Sequence, residues 1–260
     1  MSTEPAASTL ARPRTRPAWH VATVAETRRE TPTAVRLVLD VPTWPGSEAG
    51  AHLDLRLTAP DGYQASRSYS VAASTPAAPG SPGQVVLAVD EVPDGEVSPF
   101  LVRDVRPGDQ LELHGPLGAF FVWRPGQSTR PVQLVAGGSG VVPLYAMAAA
   151  HAAAADETPF RLLYSVRTPD DVWFADELAA LAGPTLALDL VYTRRAPEGT
   201  ADVVGRLTRE SFAARVLPAA ERPRVYVCGS TGFVETVAGW LQELGHAAGD
   251  IHTERFGGLT

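Results

Sequence analysis

The first half of the chain is dominated by apolar residues at every second position. The alternation is clear in residues 34–41, and residues 52–57 repeat it with a leucine at every odd position. A period of two is typical of a strand that buries one face. Residues 65–72, 85–92 and 109–113 follow as further strand-like segments, separated by turns and loops. Short strands at this spacing predict a small antiparallel β-barrel.

The second half of the chain changes to apolar strands that alternate with helical segments. Short apolar runs occupy residues 132–136, 161–166, 186–192 and 225–230. Strands that alternate with helices predict a parallel sheet with helical crossovers. Segment 124–130 contains proline and glycine between the two patterns, and it is the best candidate for a domain boundary.

The expected architecture therefore has two domains after a short tail. The length of 260 residues is sufficient for two domains with separate cores. Residues 1–17 show no apolar periodicity and are expected to form a flexible tail. We expect the antiparallel β-barrel domain at residues 18–126 and the α/β parallel-sheet domain at residues 127–260.

The amino-acid composition excludes several kinds of reaction, ligand and metal site. All 22 basic residues are arginine, so lysine Schiff bases and a P-loop lysine are excluded. The net charge of −7 argues against nucleic-acid binding. Cys228 is the single cysteine, which excludes a disulfide, a cysteine zinc site or a four-cysteine iron–sulfur cluster within these residues. Because no apolar run has transmembrane length and no signal-peptide core is present, we expect a cytoplasmic protein without membrane partners.

The strand at residues 65–72 combines an arginine, a tyrosine and small hydroxyls. Strand alternation places Arg67 and Tyr69 on one face, and Ser68 and Ser70 on the other. A guanidinium suits a phosphate, the tyrosine offers a flat ring and Ser70 offers a small donor. These groups could hold a phosphorylated planar cofactor. The alternative is an exposed arginine beside a half-buried strand tyrosine.

Residues 93–101 predict a short helix at a possible anion site. Ser98 is expected to be the N-cap, with Pro99 at the first helical position. The free N–H groups of a helix start suit an anion, and Gly95 would let a phosphate approach the backbone. An ordinary capped helix that bridges two strands is equally compatible with this segment.

A glycine-rich turn joins the first strand of the second half to a helix. Its pattern is Gly138-x-Gly140-x-x-Pro143, at the position where a dinucleotide pyrophosphate binds in open α/β sheets. Cys228 is expected at the carboxyl end of a parallel strand, where such sheets place their ligands. A small buried apolar residue is the alternative role for this cysteine. The chain closes near Phe256, an aromatic that could cover a ligand.

The order of these motifs resembles the ferredoxin–NADP reductase superfamily. The resemblance covers residues 18–258: a barrel, the arginine–tyrosine–serine strand, a glycine–serine helix start, the glycine turn, Cys-Gly and a terminal aromatic. It is strongest to short flavin-only reductases similar to the reductase modules of multicomponent oxygenases. Two departures are Ser230, where many relatives have proline, and Phe256, which is not the final residue.

The resemblance implies an FAD-binding barrel domain, an NAD(P)-binding α/β domain and two catalytic residues, Ser70 and Cys228. Arg67 would pair with the flavin phosphate, Tyr69 would pack on the isoalloxazine and Ser70 would bond near its reactive nitrogen. The full set of expected cofactor-binding residues is Arg67, Ser68, Tyr69, Ser70, Val71, Ala72, Gly95, Val97, Ser98, Gly138, Ser139, Gly140, Ser165, Arg167, Arg194, Cys228, Gly229 and Phe256.

The nicotinamide cofactor is expected to be NADPH in preference to NADH. The second strand of the sheet ends at Ser165 and Arg167, where NAD-specific folds carry an acidic residue. Arg194 ends the following strand and could join a 2′-phosphate site.

The expected reaction passes a hydride from NAD(P)H to FAD and then electrons to a separate acceptor. Relatives suggest a ferredoxin, an oxygenase component, a molybdenum enzyme or a small molecule as that acceptor. Two alternatives remain open: a flavin reductase that releases reduced flavin, and a flavin-bound interaction or sensory subunit with little turnover.

Overall fold

The first domain is a closed six-stranded antiparallel barrel. The computed structural model describes residues 16–199 and 204–256. The strand order around the barrel is β1-β2-β5-β4-β3-β6. The strands are β1 (Ala18–Thr31), β2 (Ala34–Val41), β3 (His52–Thr58), β4 (Gln64–Thr75), β5 (Gly83–Asp90) and β6 (Gln110–Leu117), with helix α1 (Ser98–Arg103) between β5 and β6. Leu37, Leu39, Leu53 and Leu55 are fully buried inside it, so the period-two pattern correctly predicted the barrel.

The second domain is a parallel sheet, as predicted, and it has five strands where the sequence predicted four. Its strand order is β11-β10-β7-β8-β9. Its elements are β7 (Val132–Gly137), α2 (Val141–Ala153), β8 (Phe160–Val166), α3 (Ala175–Leu181), β9 (Leu186–Tyr192), α4 (Arg209–Ala213), β10 (Arg224–Ser230), α5 (Thr231–Glu243) and β11 (Ile251–Phe256). Strand β11 was not predicted, because only its pairing with β10 at the sheet edge identifies it. None of the helices in the described ranges is long and apolar enough to cross a membrane.

The two domains share a hydrophobic core. Ala34, Ala72 and Ala88 lie on the outer face of the barrel and pack in one cluster with residues of the sheet and of α2. Their small side chains allow close packing between the barrel and the second domain. This contact fixes the face of β4 that carries Ala72 against the domain with the glycine turn.

Strand β4 pairs with one neighbour along its first part and with another along its last part. It pairs with β3 from Gln64 to Ser70, but its pairing with β5 begins at Val71, where the register also shifts. The backbone of residues 64–70 therefore faces a gap on the β5 side, without a partner strand in the described parts of the chain. Backbone N–H and C=O groups require partners, so this gap is suited to a ligand.

The predicted capping role of Ser98 is wrong. Val97 is the N-cap residue of α1, and no side chain caps it. The Ser98 hydroxyl instead accepts a hydrogen bond from the Val92 N–H at 3.0 Å. Both Val97 and Ser98 are buried, so the helix start is anchored to the end of β5 and the side chain of Ser98 is committed to that contact.

Candidate active site

A cleft of about 390 Å³ lies where the barrel meets the carboxyl ends of the parallel strands. The sheet edge at which it opens is the place where open α/β folds bind ligands. Side chains from both domains form its walls, among them Ser68 and Ser70 of β4, Ser139 of the glycine turn, Cys228 of β10, and Glu254 and Phe256 of β11. The structure thus brings together five residues that the sequence predicted and adds Glu254.

Ser70, Cys228 and Glu254 form the interior of this cleft. The Ser70 hydroxyl donates a long hydrogen bond of 3.5 Å to Oε1 of Glu254. Cys228 is opposite Glu254 in the register of β10 and β11. Because β4 belongs to the barrel and the other two strands belong to the sheet, the site exists only when the domains are packed together.

The protonation of Glu254 is perturbed by its surroundings. Burial raises the pKa of Glu254 to about 7, against the smaller opposing effect of the Ser70 hydrogen bond. Glu254 was not predicted as a site residue, because Phe256 was the only candidate near the end of the sequence. The available signal was a carboxylate two residues before Phe256. A glutamate that keeps its proton near neutral pH can act as a proton donor.

Cys228 is a buried, neutral thiol that also faces the cleft. Its exposed fraction is 2%. Burial, with a further contribution from the neighbouring Glu254, raises the pKa of the thiol. A thiolate nucleophile is therefore disfavoured at this position. The cysteine lies in the cleft wall, and its role beside a nicotinamide stays a prediction.

Arg67 spans the gap between β4 and the loop before α1. Its Nη2 donates to Oε2 of Glu96 at 2.7 Å, and its Nη1 donates to the Ser66 carbonyl at 2.7 Å. The Tyr63 hydroxyl donates to the other oxygen of Glu96 at 2.8 Å. Arg67 is exposed, and it lies at the gap that the pairing of β4 leaves open. Its position is compatible with the predicted phosphate contact and also with a surface ion pair.

The other predicted site residues of β4 differ in their burial and in their hydrogen-bond partners. Tyr69 is half-buried, packs against the barrel core and lies outside the cleft wall. Burial raises the pKa of Tyr69 to about 12, so its phenol stays neutral. Ser68 donates to Oδ1 of Asp54 at 2.6 Å. Val71 and Ala72 are buried, so only their backbone groups could reach a cofactor.

A larger cavity of about 760 Å³ lies away from the cleft, beside Glu96. Tyr63, Glu96 and Phe100 form part of its wall, together with the ends of β3 and β6. Its size alone does not make it the reaction site, since Ser70, Cys228 and Glu254 lie at the other cavity. It adjoins the Gly95–Ser98 segment that the sequence predicted to hold a phosphate.

The glycine turn is shaped for close contact with a ligand on one side and a strand on the other. Gly138 has a φ of +55°, and open space surrounds the position where a Cβ would lie. At Gly140 a Cβ would lie 2.3 Å from the Cys228 carbonyl oxygen, so only glycine fits there. The turn leads into the 13-residue helix α2. This arrangement is the one that a pyrophosphate requires. Gly229 is buried in β10 beside the turn.

The predicted 2′-phosphate residues also meet at one edge of the sheet. Ser165 is half-buried near the end of β8, while Arg167 and Arg194 are exposed. The Arg194 N–H donates to the Arg167 carbonyl at 2.9 Å, which places the two arginines side by side. Acidic groups are close, since Arg195 pairs with Asp170 at 2.5 Å and Asp90 interacts electrostatically with Arg167.

Comparison with known proteins gives matches over both domains. The profile of the oxidoreductase FAD-binding domain matches residues 23–122, and that of the oxidoreductase NAD-binding domain matches residues 134–239. The flavohemoprotein of Deinococcus radiodurans is 32% identical over 221 residues, which are 82% of this chain and 52% of that protein. The toluate 1,2-dioxygenase electron transfer component of Pseudomonas putida is 29% identical over 174 residues, 67% of this chain and 50% of that protein.

Solved structures agree with these matches. The flavohem-like FAD/NAD-binding domain of nitric oxide dioxygenase from Vibrio cholerae superposes with a TM-score of 0.78 at 26% identity, covering 92% of this chain and 99% of that domain. The chain spans about half the length of the two curated relatives named above. The two matched domains, their order and the shared architecture show that the chain belongs to the ferredoxin reductase family of FAD- and NAD-binding oxidoreductases.

Proposed function

We propose that this protein transfers a hydride from NAD(P)H to bound FAD and then passes electrons to a separate acceptor. The observation that carries this proposal is the convergence of Ser70, Cys228 and Glu254 in one cleft. Ser70 comes from the FAD-binding domain, and the other two residues come from the domain that binds the nicotinamide cofactor. Such a cleft would hold the two ring systems face to face.

The described residues fit an extended flavin nucleotide. The edge of β4 that lacks a β5 partner ends at Ser70 and offers backbone groups there, and Val71 and Ala72 follow where the pairing with β5 begins. Arg67 would bind the phosphate by a charge-assisted contact, and backbone groups of Gly95, Val97 and Ser98 would bind the second phosphate. The larger cavity beside Glu96 would receive the adenosine, which favours FAD over FMN. When bound, FAD supplies hydride acceptance and the release of electrons in single steps.

The residues of the second domain would bind and orient the nicotinamide cofactor. Gly138, Ser139 and Gly140 would hold its pyrophosphate, while Cys228 and Gly229 would lie beside the nicotinamide. Ser165, Arg167 and Arg194 would contact a 2′-phosphate. Phe256 at the cleft wall would exclude water from the reacting rings. Glu254 would hold a proton on its carboxyl, and the Ser70 hydroxyl would keep that carboxyl oriented toward the cleft.

The electron acceptor lies outside these 260 residues, since one cysteine cannot ligate an iron–sulfur cluster. A ferredoxin, an oxygenase component, a molybdenum enzyme or a small molecule would serve. The similarity to an electron transfer component of a dioxygenase supports the protein acceptors. We propose that the FAD-binding domain ends at residue 126 and that the NAD(P)-binding domain begins at residue 127. We also propose that the reaction takes place in the cytoplasm.

The test is an anaerobic reduction assay on purified protein. We expect a yellow protein that carries one FAD per chain and is bleached by NADPH or NADH. Denaturation should release FAD, and gel filtration should not separate it from the chain. Loss of the flavin on the column would favour a flavin reductase, and slow bleaching with both cofactors would favour a sensory subunit. FAD-loaded protein that neither cofactor reduces would refute the proposal.

A further inference from the structure

A cluster of largely buried charges joins the barrel to the second domain at the β1–β2 hairpin. Arg36 of β2 lies at its centre. The Nε of Arg36 donates to Oε2 of Glu30 at 2.7 Å, and its Nη1 donates to Oε1 of Glu177 on α3 at 2.6 Å. The Arg36 and Glu30 side chains are only 14% and 4% exposed. One arginine of the barrel is thus held between a carboxylate of its own domain and a carboxylate of the other.

Arg36 also contacts an aromatic side chain of the second domain, Phe174. The guanidinium carbon of Arg36 lies 4.6 Å from the centre of the Phe174 ring. The Phe174 N–H donates to Oε1 of Glu30 at 2.5 Å. Phe174 has a φ of +54°, which is unfavourable for a bulky residue and requires support from its surroundings. Arg36 and Glu30 therefore hold Phe174 by both its ring and its backbone.

The contact continues from Phe174 to the helix that follows the glycine turn. Tyr145 of α2 stacks on Phe174 with 4.1 Å between ring centres and 6° between ring planes. Helix α2 begins at Val141, directly after Gly140. Rigid stacking thus connects Arg36 of the barrel to the element that presents the dinucleotide turn. None of these side chains lines the cleft.

Stability alone is a poor explanation for this arrangement. Burying charges costs solvation free energy, and apolar residues of similar size often stabilise a fold equally well. The Nη2 of Arg36 is also buried without a hydrogen-bond partner among the described residues. The charges do supply a defined geometry, because the planar guanidinium fork donates its hydrogen bonds to the two carboxylates in fixed directions.

We propose that Arg36 is a positioning residue for hydride transfer, which sets the orientation of the dinucleotide-binding domain on the flavin barrel. The inference rests on the proposed function, because the orientation matters only if two ring systems must stack between the domains. A displacement of about 1 Å in such a reaction can lower the rate about 100-fold. Arg36 would then influence the rate of transfer while leaving each cofactor's own binding site intact.

The experiment compares Arg36→Met, which keeps length without charge, with Arg36→Lys, which keeps the charge without the fork. Arg209→Met is the matched control, because Arg209 pairs with Glu243 entirely within the second domain. The first measurement is the limiting rate of anaerobic flavin reduction by NADPH, and the second is the long-wavelength absorbance of the stacked flavin–nicotinamide pair. The third is the affinity of the whole protein for ADP-ribose, measured by calorimetry.

We expect Arg36→Met to reduce its flavin at least tenfold more slowly and to lose most of the stacking absorbance. Its FAD content and its ADP-ribose affinity should stay within twofold of wild type. Arg36→Lys should give an intermediate rate, and Arg209→Met should match wild type in all measurements. If Arg36→Met does not fold, Glu177→Gln removes the negative charge on α3 that faces Arg36 and Arg28 of the barrel, and it should slow reduction several-fold.

If the wild type is active and Arg36→Met reduces its flavin at the same rate, this inference is overturned while the proposed function stands. The same holds for Glu177→Gln if Arg36→Met does not fold. A slow variant that has lost ADP-ribose binding to the same extent also overturns it, since the second domain itself would then be damaged. A wild-type protein that NADPH and NADH both fail to reduce refutes the proposed function and this inference with it.

Discussion

Replacing Glu254 by glutamine should make the protein more stable at neutral and alkaline pH. Burial raises the pKa of this carboxyl from an ordinary value of 4.5 to about 7. At about 1.36 kcal/mol per pH unit, this difference corresponds to about 3 kcal/mol. Between these two pH values the unfolded chain releases the proton while the folded chain retains it. The free energy of unfolding therefore falls as the pH rises through this window, and it does so only while Glu254 is present.

The assay is urea denaturation of wild type and Glu254→Gln between about pH 5 and pH 8. We expect the advantage of the variant to grow by about 2.5 kcal/mol over that range. Taking the difference between the two proteins cancels the titration of histidines, which both contain. Glu157→Gln is the matched control, because Glu157 is exposed and lies outside the cleft.

The kinetics of Glu254→Gln provide a second readout of the same proton. If Glu254 donates a proton during turnover, a plot of the wild-type turnover rate against pH should have an inflection near pH 7. The same plot for the variant should lack this inflection. A stability difference that does not change with pH would show that Glu254 is ionised throughout. An inflection near pH 7 that persists in the variant would assign it to another group.

Three further predictions concern the cofactors. Arg67→Ala should lose most of its flavin, because loss of a charge-assisted phosphate contact of about 1.5–3 kcal/mol weakens binding roughly 10- to 100-fold; full FAD content after purification would make Arg67 only a surface strand residue. Cys228→Ala should slow single-turnover reduction by NADPH yet retain FAD, and an unaltered rate would leave the cysteine a packing role alone. Wild type should prefer NADPH, and Arg167→Ala should lower kcat/KM for NADPH roughly 10- to 100-fold with little change for NADH. Equal use of both cofactors by wild type, or equal losses in the variant, would contradict that preference.

Local sequence patterns predicted the two-domain architecture, apart from strand β11. The alternation that buries Leu53 and Leu55 reports burial directly, because neighbouring residues on a strand face opposite sides. The glycine turn was also predictable from the sequence. The positive φ of Gly138 and the close approach of Gly140 to the Cys228 carbonyl both favour glycine. Cys228 was predicted at the carboxyl end of a parallel strand from the order of the elements, and it lies near the end of β10. The expected role of Ser70 came instead from the family resemblance of its strand.

Contacts between distant segments could not be obtained in this way. Glu254 reaches Ser70 across 184 positions of sequence, and its raised pKa depends on β11 pairing with β10 at the sheet edge. Ser98 resembles an N-cap locally, but its hydroxyl accepts a hydrogen bond from the Val92 N–H in the loop after β5. Arg36 has the pattern of an exposed strand residue until Glu177 and Phe174 of the other domain bury it. Spacing along the chain records which face of an element is apolar, whereas burial of a charge, and therefore its protonation and its partner, is decided by which surfaces meet.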